Sequence, residues 1–275
     1  MPHLFTQDKT RLYYKDWGKG RPVVLIHGWP LNADTLDQIA MELAGKGHRV
    51  IAYDRRGFGR SEQAWTGYNY ETLTDDLKSV IDELKLDDVA LVGFSMGGGE
   101  VARYMDKYHG EKVSATALIS SIVPYLLRTN DNPDGVDQDV FNEMAEGLRK
   151  DRPGFFGDFF KNFYGNSAMS KNVGEETLEW SRQIAMQASL KGTIDCVHAF
   201  GTTDLRSSLK HFQVPTLIIH GEDDKIVPID VSSKQAAEHI KSSQLITYDD
   251  GPHGLLATHG ERLAKDLLEF LTQQV

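Results

Sequence analysis

The chain has 275 residues, 40% apolar and 25% charged, with a formal net charge of −10 and a single cysteine, Cys196. This is globular composition with length enough for one α/β domain, and the acidic balance counts against nucleic acid and anionic membrane surfaces as partners. One thiol allows no intrachain disulfide, no apolar run reaches the roughly 18 residues of a spanning helix, and Met1 to Gly20 lacks a basic stretch followed by an apolar one, so the expected location is cytoplasmic.

The opening residues read as a β-hairpin: His3 to Thr6 and Leu12 to Trp17 flank a polar turn at Gln7-Asp8-Lys9. Short apolar strands then alternate with amphipathic helices. A strand at Val23 to Ile26 precedes a helix at Leu36 to Gly45. A strand at Val50 to Tyr53 precedes a helix at Tyr70 to Leu84. The strand at Val89 to Val92 runs into Gly93-Phe94-Ser95-Met96-Gly97 and a helix from Met96 to Tyr108, and Ala115 to Ile119 is the next strand. From Ile122 to Phe212 the alternation stops. That stretch is Phe-rich and helix-like, with loop signals at Asn130 to Gly135 and Arg152-Pro153-Gly154. Strands resume at Leu217 to Ile219 and Leu245 to Tyr248, with helices at Val231 to His239 and Glu261 to Leu271. The pattern predicts an α/β fold with a mostly parallel sheet of about eight strands, flanked by helices. Residues 1–121 and 213–275 form its core, and residues 122–212 form a helical cap. Phe155, Phe156, Phe159, Phe160 and Phe163 are expected in the cap core, some of them facing a pocket.

A strand, a Ser-centred Gly-x-Ser-x-Gly turn and a helix are the context of a nucleophile elbow. Gly93 and Gly97 have no Cβ to collide where strand and helix close on one another. Ligands of parallel sheets bind beyond the C-terminal strand ends. Asp223 and Asp224 follow the Leu217 strand and His253 follows the Leu245 strand, in the chain order Ser, Asp, His. A serine hydroxyl needs a base to take its proton, and the base needs an acid to hold its tautomer. Taken alone, each of the ten histidines is more simply a core or solvated residue, and Glu222-Asp223-Asp224 a solvated acidic turn. Oxyanion donors are expected at the Met96 N–H, just after the nucleophile, and at the Trp29 N–H in His27-Gly28-Trp29-Pro30; Pro30 has no N–H to offer. Phosphate-loop, dinucleotide and metal-ligand spacings are lacking.

The chain resembles the α/β-hydrolase superfamily, and within it the cofactor-free (non-haem) haloperoxidase, perhydrolase and aryl esterase group. The resemblance runs nearly end to end. It is carried by His27 to Leu31, Tyr53 to Ser61, Gly93 to Arg103, Ala188 to Thr193, His220 to Pro228 and Pro252 to Leu255. It implies Asp224, three residues beyond the Gly of an H-G-x-x-D turn, as the acid of a Ser95, Asp224, His253 triad. It implies Trp29 and Met96 as oxyanion donors, and Trp29, Pro30, Met96, Ile122, Ile226 and Leu255 as residues of the substrate pocket. Trp29-Pro30 resembles the version linked to peracid formation, in which the Trp carbonyl accepts a hydrogen bond from peroxide. Leu36 stands where many relatives carry an aromatic. The implied activity is hydrolysis of small carboxylic esters with perhydrolysis, needing no cofactor. The implied substrates are a small ester and, beyond it, hydrogen peroxide or a lactam; a homo-oligomer is left open. Small-lactam hydrolysis on the same residues is the alternative, and a non-catalytic ligand-binding relative a distant one. An epoxide hydrolase or dehalogenase would carry Asp at the elbow in place of Ser95.

Overall fold

The computed structural model describes residues 2–167 and 169–273. Its order begins with β1 (His3–Phe5), β2 (Arg11–Gly18), β3 (Pro22–Ile26), α1 (Asp37–Gly45), β4 (Arg49–Tyr53), α2 (Tyr70–Glu83), β5 (Val89–Phe94), α3 (Met96–Lys107) and β6 (Val113–Ile119). Three long helices follow: α4 (Gln138–Phe163), α5 (Glu175–Gln187) and α6 (Leu190–Thr202). The chain closes with β7 (Thr216–Gly221), α7 (Ser233–His239), β8 (Ser243–Tyr248), α8 (Leu255–Thr258) and α9 (Gly260–Gln273).

The eight strands form one sheet in the order β1-β2-β4-β3-β5-β6-β7-β8. The β1–β2 and β2–β4 pairs are antiparallel, and the remaining pairs are parallel. Every residue of β5 and β7 is buried, because helices cover both faces and leave no polar side to alternate with. β8 lies at the sheet edge and is half-buried over most of its length. The six parallel strands β4, β3, β5, β6, β7 and β8 point their C-terminal ends the same way, so the loops that follow them converge on one rim.

Two expected helix starts fall later than the periodicity suggested. Leu36 closes a 3-10 turn, Ala33–Leu36, in which the Asn32 side chain accepts from Asp34 N–H and the Asp54 carboxylate from Ala33 N–H. Val231 ends a second such turn, and Ser232, at φ −127° and ψ −98°, separates it from α7. The expected loop at Arg152-Pro153-Gly154 is a kink within α4. Asp151 leaves helical geometry (φ −153°, ψ 80°), and its carboxylate accepts from Gly154 N–H at 3.0 Å. Asp151 therefore caps a restarted helix whose first turn holds Pro153, where a missing N–H costs least.

Between β6 and β7, α4 packs against both α5 and α6. Phe156, Phe160 and Phe163 are buried. This helical layer is tied to the sheet rim by Ser189 N–H donating to Gly57 O at 2.6 Å and by the Trp29 indole N–H donating to Thr193 O at 2.9 Å. Among the described residues, no helix is long and apolar enough to cross a membrane.

Candidate active site

Ser95 stands between β5 and α3 with φ 53° and ψ −117°. A non-glycine residue held there costs of order 1–3 kcal/mol and persists only where surrounding structure enforces it. The enforcement is visible: Ser95 N–H donates to Ile119 O of β6 at 2.8 Å, and Ser95 O accepts from Gly98 N–H at 3.0 Å. A Cβ on Gly93 would come within 2.6 Å of the Gly97 and Gly98 backbone, and one on Gly97 within 2.5 Å of Ile26 O. The two glycines are therefore what let the turn close as tightly as it does.

The structure brings Ser95, His253 and Asp224 into one hydrogen-bonded line. His253 Nδ1 lies 2.7 Å from Asp224 Oδ2, and His253 Nε2 lies 2.9 Å from Ser95 Oγ. An ionised carboxylate only accepts, so Nδ1 carries the proton and Nε2 presents its lone pair to the serine hydroxyl. Asp224 Oδ1 accepts from Ile226 N–H at 2.9 Å and Val227 N–H at 2.8 Å. Burial alone would raise the Asp224 pKa, but the electrostatic attraction of the His253 imidazole and the bonds from His220 and His253 outweigh it and hold the carboxyl well below its usual range. Asp223, its neighbour, is exposed, and no bond joins its side chain to His253.

His220, at the end of β7, is a partner of this line that the motif reading passed over. Its Nε2 faces only acceptors, Val227 O at 2.9 Å and Asp224 Oδ2 at 3.1 Å, so that nitrogen carries the proton. Its Nδ1 takes the Ser233 hydroxyl at 2.7 Å. The signal in the sequence was the histidine opening His220-Gly221-Glu222-Asp223-Asp224; its meaning depends on a turn that folds Asp224 back beneath it. The His253 ring is further fixed by Phe163, edge-on at 4.9 Å between centroids, and by Phe94 at 5.4 Å.

Ser95 and His253 lie at the floor of a cavity of about 380 Å3, whose walls are mostly apolar. Trp29, Ile122 and Ile226 line it, as the sequence suggested, and Phe155, Phe159, Phe141, Met144 and Phe200 complete the wall. Asp158, Asn162 and Lys225 add polar groups. Pro30, Met96 and Leu255, expected in the pocket, are buried and are not among its lining residues. Met96 opens α3, and its carbonyl accepts from Tyr70 OH at 3.0 Å. Leu255 is turned over Gly251. Leu36 lies in the core and does not reach the cavity. Among the described residues, the N–H groups of Trp29 and Met96 donate to no acceptor, and the Trp29 carbonyl accepts no hydrogen bond. These are three open polar groups beside a buried nucleophile.

Comparison with known proteins places the fold in a family. Residues 21–260 match the family described as the alpha/beta hydrolase fold. A bromoperoxidase from Bacillus anthracis, known from its crystal structure, superimposes with a TM-score of 0.94 and 42% identity, over 98% of this chain and 100% of its own. A non-heme chloroperoxidase of Kitasatospora aureofaciens is 40% identical over 275 residues, covering 99% of this chain and 100% of the relative. A bifunctional esterase/perhydrolase of Acinetobacter calcoaceticus is also 40% identical over 275 residues, with 98% and 99% covered.

Proposed function

Because the chain belongs to the α/β-hydrolase family, we propose that it is a serine hydrolase of small aryl and alkyl esters that also transfers the acyl group to hydrogen peroxide. The observation that carries this reading is the hydrogen-bonded line from Asp224 through His253 to Ser95 at the floor of an apolar cavity. Relatives named as haloperoxidases and as an esterase/perhydrolase support the choice of acceptor.

In this reading Ser95 Oγ attacks the ester carbonyl carbon while His253 Nε2 takes the hydroxyl proton. The developing oxyanion is met by the N–H groups of Trp29 and Met96. His253 returns the proton to the leaving alkoxide, and the acyl group remains on Ser95. Water or hydrogen peroxide then attacks the acyl carbon, giving its proton to His253, which passes it back to Ser95. The products are a carboxylic acid or a peracid. The peracid oxidises halide away from the enzyme and is reduced to the acid. Asp224 stays ionised and holds His253 in the Nδ1–H tautomer. Residues 122–212 act as the cap. Its Phe155, Phe159 and Phe200 offer apolar surface to the acyl or alcohol group, worth about 25 cal/mol per Å2 buried. A cytoplasmic location belongs to the same reading, with Cys196 as a buried thiol.

The experiment compares ester hydrolysis with peracid formation in the wild type and in Pro30→Leu. The open Trp29 carbonyl is the acceptor assigned to peroxide. Shifting it is expected to lower the ratio of peracid to hydrolysis by up to about tenfold, the scale of one hydrogen bond. An unchanged ratio overturns the role given to Trp29-Pro30, and a wild type that hydrolyses no ester overturns the hydrolase reading.

His220→Ala removes a charge-assisted bond to Asp224 and leaves Ser95 and His253 in place. Steady-state kinetics are expected to show kcat lowered by about 10- to 100-fold. A kcat equal to the wild type would show that His220 holds the β7 turn without bearing on Asp224.

A further inference from the structure

The Gly28–Trp29 peptide carries one of the two N–H groups assigned above to the oxyanion hole, and its orientation is held from outside the cavity. The Gly28 carbonyl accepts from Leu31 N–H at 3.0 Å and lies 2.9 Å from His27 Nδ1. The peptide is trans, so its C=O and N–H point in opposite directions, and fixing one fixes the other.

His27 is fully buried. Its Nε2 lies 3.0 Å from the backbone N of Arg55. That N–H can only donate, so Nε2 is the unprotonated nitrogen and Nδ1 carries the proton. Nδ1–H therefore donates to Gly28 O. The approach of Arg55 Nη1 to Nδ1, at 3.3 Å, is then a contact between two donors and not a hydrogen bond. Burial first, then the Arg55 charge and more weakly that of Arg60, hold the imidazole well below its ordinary pKa and outweigh the Gly28 bond.

Arg55 is itself locked. Its Nη2 donates to His27 O at 2.7 Å, and its Nε donates to Glu100 Oε1 at 2.6 Å within a fully buried ion pair. Tyr53 OH completes the Glu100 carboxylate at 2.7 Å. Glu100 belongs to α3, four residues beyond Met96, whose N–H is the other assigned donor. One buried pair thus joins the two elements that must present their donors to the same oxygen.

We propose that His27 is a positioning residue for the oxyanion hole: the Nδ1–H tautomer imposed by the Arg55 backbone fixes the Gly28–Trp29 peptide so that its N–H stays free for the oxyanion. The inference rests on the hydrolase reading above.

Two measurements test it. Long-range 1H–15N correlation of the wild-type imidazoles, between about pH 5 and 9, is expected to show His27 neutral and Nδ1-protonated throughout. An Nε2–H ring, or one that titrates in that range, overturns the proposal. Kinetics then compare His27→Asn, which keeps a donor near the Nδ1 position, with His27→Phe, which keeps a ring and no donor. Both leave the Arg55 N–H without its acceptor, so their difference isolates the bond to Gly28. His27→Phe is expected to lower kcat about 10- to 100-fold with KM within about twofold, and to weaken an arylboronic acid that forms a tetrahedral adduct on Ser95 by a similar factor. His27→Asn is expected to recover most of that loss. Equal losses in the two variants, or a raised KM at unchanged kcat, overturn the proposal. A hydrolysing wild type in which His27→Phe keeps full kcat overturns this inference alone, whereas a wild type that hydrolyses no ester removes the hydrolase reading and this inference with it.

Discussion

Ser95→Ala is expected to lower kcat for ester hydrolysis by at least about 10^4-fold and to abolish labelling by a fluorophosphonate probe. Alanine removes Oγ and with it the one atom that His253 Nε2 faces at 2.9 Å. The backbone strain at φ 53° is unchanged, since alanine has the same Cβ, so folding should survive with little change in thermal midpoint. Mass spectrometry of the labelled wild type should place the probe on Ser95. Turnover above about 1% of wild type in a folded Ser95→Ala protein would mean that another group, or water bound directly, attacks the ester.

Asp224→Asn is expected to cost about 10^3- to 10^4-fold in kcat. An asparagine keeps an oxygen to accept from Ile226 and Val227 N–H, so the turn after β7 should hold. Its amide would then face His253 Nδ1 as a donor, and Nδ1 would have to accept. The imidazole proton moves to Nε2, which donates to Ser95 Oγ and can no longer take its proton. Asp223→Asn is the companion measurement. Its exposed side chain touches neither histidine, and kcat is expected within about twofold of wild type. If the two variants lose activity equally, the acid has been assigned to the wrong residue.

Much of this was legible in the amino-acid order. The sheet could be read because short apolar runs such as Val23 to Ile26 and Val89 to Val92 alternate with amphipathic helices, and burial on both faces leaves such runs little freedom to be anything else. The elbow was legible because Gly93 and Gly97 have no physical reason to flank a serine other than the close approach seen there. Helix starts were less legible. The apolar period through Leu36 and through Val231 continues across 3-10 turns, whose side chains share nearly the same face as an α-turn. The pocket was the least legible. Ile122, Ile226 and Trp29 line it, and the side chains of Met96, Pro30 and Leu255 are not part of its wall, because which side of a loop faces a cavity depends on what packs behind it.

The sequence by itself determined the fold class, the chain order of Ser95, Asp224 and His253, and two N–H groups suited to an oxyanion. These are local facts: each needs only a strand, a turn and the chemistry of a side chain. The tertiary structure brought Asp224 and His253 to 2.7 Å, set His220 beneath the acid and His27 behind the Gly28–Trp29 peptide, and laid the aromatic wall of α4 and α6 over the nucleophile. Those are facts about distances between residues far apart in the chain, fixed only when the buried polar groups of Arg55, Glu100 and His27 each find a partner and the apolar faces close around them.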